Sequence, residues 1–229
     1  AGRRVLDDPR NSLFKQQLRL IDELYPKHVV IENVAGMIKG QMKPVAGEIV
    51  ASLKERGYKV AAGIMEAQYF GVGQSRPRCF FIGSRIGQPS LPRAISAPVT
   101  AGAALSGVEP DDVPPMTDKS KWVASMLRPG IDWNKVVSES GRIPSKWFGG
   151  KMLDPERPSF TITKTWIQPG VYYHWSRRFL SAYEALVLTG FPLGYILPGS
   201  FKDRWARIGN SVAPPMSREI VRQVLSRIT

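Results

Sequence analysis

Residues 28–37 read HVVIENVAGM, and this stretch decides the fold. The run from His28 to Glu32 is short, apolar and consistent with a buried strand. Glu32 and Asn33 come at the carboxyl end of that strand. Open α/β sheets bind their ligands at this end of their strands. The stretch therefore predicts a strand of an α/β sheet and marks Glu32 as a candidate functional carboxylate.

The sequence on either side predicts helices and further strands. Apolar residues at helical spacing precede His28, and Pro26 ends that run: Leu13, Phe14, Leu18, Ile21 and Leu24. Val45, Ile49 and Leu53 indicate a second helix that stops at Gly57. Residues 59–64 and 78–82 are two further strand candidates. Strand, helix and strand of these lengths predict an α/β fold with helices on the faces of a layered sheet.

The amino-acid composition of the sequence changes after Ser84. Residues 88–115 are rich in Pro, Gly, Ala and Ser, and residues 116–175 contain five of the six Trp but few helical patterns. This region predicts a smaller, irregular domain that is mostly β or loop. Ser181 and Glu184 form a capping-box pattern, and a last helix follows Pro214 and Pro215. The predicted boundaries are 1–86, 87–195 and 196–229, the last segment returning to the first domain.

The charge balance favours a polyanionic partner. Thirty-two Lys and Arg against 19 Asp and Glu give a net charge of +13, which attracts nucleic acid. A generically basic soluble protein is the alternative. The single cysteine, Cys79, and two distant histidines predict neither a disulfide nor a metal site. No apolar run is long enough for a bilayer and no secretory signal opens the chain, so the expected location is cytoplasmic.

Two arginines form the second candidate motif, Gln74-Ser-Arg-Pro-Arg78. On an extended segment Arg76 and Arg78 would point the same way. If one of them faces Glu32, the pair could hold the carboxylate and offer donors to a carbonyl oxygen. The alternatives are a solvated basic strand and, for Glu32, a surface carboxylate at a strand end.

Four segments together resemble the DNA cytosine-5 methyltransferases. VIENVAGM is similar to the Glu-Asn-Val motif of that family, and YFGVGQSRPRCFFIG is similar to its Gln-x-Arg-x-Arg motif. RFLSAYEALVLTGFP resembles the segment that closes the target-recognition domain, and RIGNSVAPP resembles the last motif. The resemblance implies part of a Rossmann-like, S-adenosylmethionine-dependent methyltransferase domain followed by a target-recognition domain.

The resemblance also implies roles for individual residues. Glu32 would protonate N3 of a flipped cytosine and read its amine, Arg78 would bind the carbonyl oxygen, and Arg76 would order Glu32 and assist the covalent step. The S-adenosylmethionine candidates are Leu13, Asn210, Ser211 and Val212. The DNA candidates are Arg3, Arg4, Thr161, Thr163, Lys164 and Arg177. Cys79 lies within an apolar strand, so we expect it to pack as a core residue rather than act as the nucleophile.

The Gly-rich cofactor strand and the Pro-Cys-Gln nucleophile of the family are missing from the sequence. We therefore expect a subunit or part of a bacterial or phage DNA methyltransferase, in restriction-modification, that needs an N-terminal half as its partner. A non-catalytic, sequence-specific DNA-binding fragment is the alternative. An unrelated RNA-binding or basic α/β protein would require four coincident motifs.

Overall fold

The computed structural model of the protein describes residues 13–140, 150–166 and 171–226. Contacts divide the chain into two compact units. The described part of the first unit comprises residues 13–66, 77–93 and 218–226, and that of the second comprises 67–76, 94–140, 150–166 and 171–217. Within these described ranges, no helix is both long and apolar enough to cross a membrane.

The first unit is a three-stranded antiparallel sheet with helices. Its elements are α1 (Phe14–Leu24), β1 (His28–Val34), α2 (Lys43–Glu55), β2 (Lys59–Glu66) and β3 (Pro77–Ser84), with short 3-10 turns at Ala35–Ile38 and Gly40–Met42. The strand order is β1-β3-β2, and β3 runs antiparallel to both neighbours. These elements confirm the predicted α/β architecture, and each strand extends slightly beyond the residues that the sequence pattern marked.

The core of the first unit explains the apolar spacing in the sequence. Phe14, Leu18 and Ile21 form the buried side of α1 and belong to one cluster with Ile49 and Leu53 of α2. The central strand β3 is buried from its third residue onward, and its side chains are protected on both faces. Burial of these apolar groups fixes β1 and β3 in register, which in turn fixes the side chains near the ends of the strands.

The second unit is more helical than the sequence predicted. Its described elements are α3 (Ala101–Ala104), α4 (Asp118–Met126), α5 (Trp133–Ser140), β4 (Lys151–Met152), β5 (Tyr172–Tyr173), α6 (Ala182–Leu188) and α7 (Phe201–Asn210), after a 3-10 turn at Ala67–Phe70. The two strands pair in parallel over two residues each. The expectation of a mostly β domain is therefore wrong, because capping side chains start short helices that carry only weak apolar stripes. Thr117, for example, accepts a hydrogen bond from the Ser120 amide at the start of α4.

The compact units do not follow the predicted boundaries. Residues 87–93 belong to the first unit, whereas 67–76 and 196–217 belong to the second. The chain returns to the first unit within α8 (Pro214–Leu225), at Arg218. A hydrogen bond of 2.6 Å from the Gln223 amide group to the Ser90 hydroxyl links that part of α8 to the first unit. The assignment of catalytic and target-recognition domains to these stretches stays a prediction.

Candidate active site

Glu32 and Arg78 form an ion pair in the first unit. Glu32 lies near the end of β1 and Arg78 near the start of β3, and the antiparallel register brings these two strand ends together. The Arg78 Nε atom lies 2.9 Å from Glu32 Oε1. The Glu32 side chain is 32% exposed and that of Arg78 is 14% exposed, so the carboxylate remains accessible while the guanidinium is largely covered.

Two contacts fix the orientation of the Arg78 side chain. Nε donates to Glu32, and Nη1 donates to the Pro77 carbonyl oxygen at 2.9 Å. Burial lowers the pKa of the Arg78 guanidinium, and the Glu32 carboxylate opposes this shift because it favours the charged form. A guanidinium stays protonated throughout the physiological range, so the pair is a fixed cation beside a carboxylate.

Glu32 also lines a cavity of about 210 Å³. A single water needs only roughly 10–15 Å³ of such space, so the cavity has room for part of a small organic molecule. Elements of the first unit form its wall: Leu13, Phe14, Gln17, Ile31, Glu32, Asn33, Met37 and Ile49. We call this cavity the Glu32 pocket. Arg78 contacts Glu32 but is not one of the wall residues. That both side chains bind one flipped base stays a prediction.

Cys79 is buried in β3 and has the properties of a core thiol. It is fully buried, and burial together with the nearby Glu32 carboxylate raises its pKa to about 11. At neutral pH the thiol is therefore protonated, whereas a nucleophilic cysteine acts as the thiolate. These properties argue against Cys79 as a nucleophile.

Arg76 lies in the second unit and binds backbone carbonyl groups. Its side chain is 1% exposed. Nη1 donates to the Ile162 carbonyl oxygen at 2.8 Å, and Nη2 donates to those of Gly209 and Ser211 at 2.6 and 2.8 Å. We expected Arg76 to order Glu32 and to point the same way as Arg78. β3 begins only at Pro77, and an ion pair with Glu32 is formed by Arg78. The expectation that Arg76 orders Glu32 stays a prediction. A role of Arg76 in the covalent step stays a prediction.

Gln74 is fully buried beside Arg76 in the same motif. Its Nε2 group donates to the Thr189 hydroxyl, and its Oε1 atom accepts from the Ile162 amide, both at 3.0 Å. We define the Arg76 cluster as Gln74, Arg76, Ile162, Thr189, Gly209 and Ser211. The sequence resemblance marked Gln74 and Arg76 as motif residues, but no sequence signal identified their partners 86 to 135 residues away.

The predicted DNA-contacting residues differ in their surroundings. The Thr161 hydroxyl donates to the Ser75 carbonyl oxygen at 2.6 Å, so its hydroxyl hydrogen is already engaged. Thr163 and Lys164 are exposed. Arg177 is exposed with a left-handed φ of 64°, and its Nη1 atom donates to the Ala124 carbonyl oxygen at 2.6 Å. Arg3 and Arg4 lie outside the described residues.

The predicted cofactor residues belong to different units. Leu13 is 61% exposed and lines the Glu32 pocket of the first unit. Asn210, Ser211 and Val212 lie in the second unit at the end of α7, where Asn210 is exposed and the other two are half-buried. The Ser211 hydroxyl donates to the Ile208 carbonyl oxygen at 2.8 Å. Their shared role in a cofactor site stays a prediction.

Sequence reasoning missed a buried ion pair in the second unit. Arg178 binds both carboxylate oxygens of Glu184, at 2.8 and 2.6 Å, and Glu184 also completes the capping box with Ser181 at the start of α6. His174 lies next to this pair, with Nε2 4.0 Å from the carboxylate. Burial and the Arg178 charge lower the pKa of His174 to about 4, against the opposing effect of Glu184. The capping-box pattern identified Ser181 and Glu184, but not the partners from the preceding turn.

Comparisons with known proteins agree with the motifs. The family model of C-5 cytosine-specific DNA methylases matches residues 1–226. The type II methyltransferase M1.HphI of Haemophilus parahaemolyticus is 27% identical over 241 residues, which cover 100% of this chain and 64% of that relative. M.XorII of Xanthomonas oryzae is 35% identical over 156 residues, covering 67% of this chain and 34% of the relative. The chain thus spans less than two thirds of the length of these relatives.

Solved structures show the same fold at low sequence identity. A prophage-encoded protein of E. coli, described as a DNA modification methyltransferase, is similar with a TM-score of 0.72 and 19% identity, covering 97% of this chain and 75% of that one. The Dnmt2 methyltransferase of S. pombe is similar with a TM-score of 0.56 and 19% identity, covering 98% and 75%. The structural likeness supports the fold alone, whereas the family match covers nearly the whole sequence. The chain belongs to the C-5 cytosine-specific DNA methylases.

Proposed function

We propose that this chain is the base-binding part of a DNA (cytosine-5-)-methyltransferase that acts on a cytosine flipped out of the duplex. The observation that carries the proposal is the Glu32–Arg78 ion pair at the edge of the Glu32 pocket. A protein that only binds DNA needs no accessible carboxylate held by a covered arginine beside a cavity. The non-catalytic alternative therefore leaves this arrangement without a purpose.

The proposed chemistry begins with proton transfer from Glu32. Glu32 first takes up a proton from water. As a thiolate adds to C6 of the cytosine, the protonated carboxyl gives this proton to N3, so the displaced electron pair ends in an N–H bond and the carboxylate paired with Arg78 is restored. C5 then becomes an enamine-like nucleophile. Arg78 holds the Glu32 carboxyl by its Nε atom and would direct another donor to the carbonyl oxygen of the base.

The methyl donor of the proposed reaction is S-adenosylmethionine. The cofactor candidate in the first unit is Leu13, one of the wall residues of the Glu32 pocket. Leu13 would contact the cofactor from this pocket, and Asn210, Ser211 and Val212 are the candidates in the second unit. Bound S-adenosylmethionine would supply the methyl group that C5 accepts.

The proposed DNA surface combines cationic and polar side chains. The net charge of +13 supports phosphate contacts. The second unit contributes two exposed cationic candidates, Lys164 and Arg177, and the exposed polar candidate Thr163. Thr161 is the weakest of these candidates, because its hydroxyl donates inside the protein. Arg3 and Arg4 are further candidates for phosphate contacts.

The proposed enzyme needs a thiolate that Cys79, the single cysteine of this sequence, does not supply, because Cys79 is buried and protonated. We propose that an N-terminal half, in a separate chain or in the same one, supplies the Pro-Cys-Gln motif and most of the cofactor site. The 64% coverage of M1.HphI supports this. The bacterial type II methyltransferases among the relatives support a role in restriction-modification, on DNA in the cytoplasm of a bacterium or from a phage.

The test is methyl transfer by the chain combined with an N-terminal half that carries the nucleophile. With labelled S-adenosylmethionine, we expect label on cytosine C5 of duplex DNA. Glu32→Gln should lower kcat by about 10²- to 10⁴-fold, the range of general acid catalysis, and change the Kd for DNA less than about threefold. Glu48→Gln is the matched control, because Glu48 is an exposed carboxylate of the same unit that pairs with Lys15. Equal loss of DNA binding and turnover in Glu32→Gln would contradict the proposal, as would unlabelled cytosine.

A further inference from the structure

The segment 159–164 is held by hydrogen bonds although it forms no helix or strand. Its backbone groups bond to side chains and backbone of distant segments: Ser159 to Gly73 and Ser75, Thr161 to the Tyr172 hydroxyl, Ile162 to Gln74 and Arg76, and Thr163 to Tyr172 and to the Trp205 indole. Buried backbone groups that find such partners are held in one position. The backbone of this segment is therefore fixed, while the side chains of Thr163 and Lys164 remain exposed.

Arg76 connects this segment to the end of α7. The same guanidinium donates to Ile162 in the first segment and to Gly209 and Ser211 in the second. A charged donor forms stronger hydrogen bonds with carbonyl oxygens than a neutral one, and the fork of the guanidinium serves several acceptors at once. A shift of either segment would therefore disturb the hydrogen bonds of the other.

Gly209 brings the two segments into direct contact. A Cβ atom at this position would lie 2.3 Å from the Lys164 amide nitrogen and 2.4 Å from the Lys164 Cα atom. Real side chains do not tolerate contacts this short, so the backbone of Lys164 can take its place only against a glycine. The contact is independent of Arg76 and joins the same two segments.

We propose that Arg76 is a positioning residue that couples DNA reading by segment 159–164 to cofactor binding by residues 209–212. The inference rests on the proposed function, because both segments carry candidates from it. Coupling through a shared element is reciprocal: DNA that fixes the first segment should tighten cofactor binding by the same factor as the cofactor tightens DNA binding.

Gln74 provides an internal comparison. It binds the Ile162 amide and Thr189, whereas Arg76 also holds Gly209 and Ser211. Gln74→Met should release segment 159–164 alone, and Arg76→Lys should release both segments, because a single ammonium group does not reproduce the guanidinium fork. The matched control is Arg204→Lys, since Arg204 is a largely buried arginine of the same unit that pairs with Asp111 and Asp112.

The first measurement is hydrogen exchange of the full chain, which requires no activity. In Arg76→Lys we expect at least about tenfold faster exchange in peptides covering both 159–164 and 208–212. In Gln74→Met only the first peptide should change, and in Arg204→Lys neither should. Unchanged exchange at 208–212 in Arg76→Lys would overturn the proposal. If Arg76→Lys does not fold, Gln74→Met tests whether side chains of this cluster hold segment 159–164. Unchanged hydrogen exchange of segment 159–164 in Gln74→Met would also overturn the proposal.

The second measurement uses the enzyme completed with its N-terminal half. We expect cofactor to bind about 5- to 100-fold more tightly in the presence of DNA, and this ratio to approach one in Arg76→Lys. KM for both DNA and cofactor should rise in that variant by a larger factor than kcat at saturation falls. A collapse of kcat with unchanged KM would assign Arg76 to the chemical step and overturn the proposal. Lack of methyl transfer by the wild type would reject the proposed function, whereas the exchange and binding results would still decide the coupling.

Discussion

The Glu32 pocket of the first unit and the Arg76 cluster of the second place two arginines of one motif in different environments. Arg78 binds a carboxylate that is one third exposed beside a cavity. Arg76, two residues earlier, is buried and donates to three backbone carbonyl groups. A cation next to an accessible carboxylate can affect a reacting group, whereas a cation surrounded by carbonyl groups fixes the backbone. The difference predicts that changes in the first region affect turnover and that changes in the second affect stability and binding.

The largest expected effect is on turnover, from Arg78→Met. The variant leaves Glu32 without its ion-pair partner and should lower kcat of the completed enzyme by about 10³-fold, comparable to the loss of a preorganised electrostatic contact. The unfolding free energy should change far less than it does in the variants of the second unit below. Kinetics and urea denaturation of the same preparation test both expectations. If Arg78→Met instead lost stability while its folded fraction kept the kcat of the wild type, the proposed difference between the two regions would be wrong.

Removal of the buried carboxylate in the second unit should lower stability, whereas Arg78→Met should mainly lower turnover. Glu184→Ala eliminates both oxygens that bind Arg178 and the capping box of α6, and should lower the unfolding free energy by about 3 kcal/mol. Urea denaturation provides the measurement. Glu139→Ala is the control, because Glu139 forms an exposed pair with Arg128 and should cost less than about 1 kcal/mol. Equal losses in the two variants would contradict a special role for the buried pair.

His174 should make the second unit sensitive to acid. Its pKa in the folded protein is lowered to about 4, whereas it lies near 6.5 in the unfolded chain. As the pH falls from 7.5 to 5, the unfolded chain therefore binds a proton that the folded protein does not, and the unfolding free energy should decrease by about 2 kcal/mol. The lowered pKa of Glu184, caused by its hydrogen bonds with Arg178 and Ser181 against the opposing effect of burial, adds a loss at still lower pH.

The variant that isolates this effect is His174→Asn, whose side-chain oxygen can replace Nδ1 as acceptor for the Ser176 amide. Its unfolding free energy should vary less with pH between 7.5 and 5 than that of the wild type. Urea denaturation at several pH values gives both slopes. The same slope in the two proteins would show that another group is responsible.

The smallest expected effect is on DNA binding, from a change at Lys164, the exposed last residue of segment 159–164. Lys164→Gln should weaken DNA binding by up to about tenfold at low salt and reduce the slope of log Kd against log salt by about one, as expected for one lost phosphate contact. Lys121→Gln is the control, because Lys121 is an exposed lysine of α4 paired with Asp118. An unchanged slope in Lys164→Gln would remove Lys164 from the DNA surface.

The sequence predicts the parts of the molecule that depend on local patterns. Apolar spacing identified α1, α2 and the three strands of the first unit, and the pairing of β1 with β3 then placed Glu32 and Arg78 together. The sequence motif left open which of its two arginines faces Glu32. The helices α4 and α5 were missed because their apolar stripes are short and they lie among loops. Local patterns favour an element, but packing against distant segments decides whether it forms.

The partners of Arg76 illustrate what could not be predicted. Strand periodicity suggested that Arg76 and Arg78 share a face, but Pro77 begins β3 and leaves Arg76 outside the ladder. Its acceptors are backbone carbonyl groups, which every residue possesses, so no residue type in the sequence marks them. The need for glycine at position 209 could not be predicted either. A side chain is excluded there because the Lys164 backbone lies too close, and the sequence does not show this contact.

The first unit is assembled from three separate stretches of the chain, and this has a consequence for synthesis on the ribosome. The stretch that includes Gln223 follows the complete second unit, whereas its partner Ser90 precedes nearly all of it. At elongation rates of about 5–20 residues per second, the interval between these residues lasts on the order of ten seconds. The first unit of a nascent chain is therefore completed only after an interval far longer than helices and hairpins take to form.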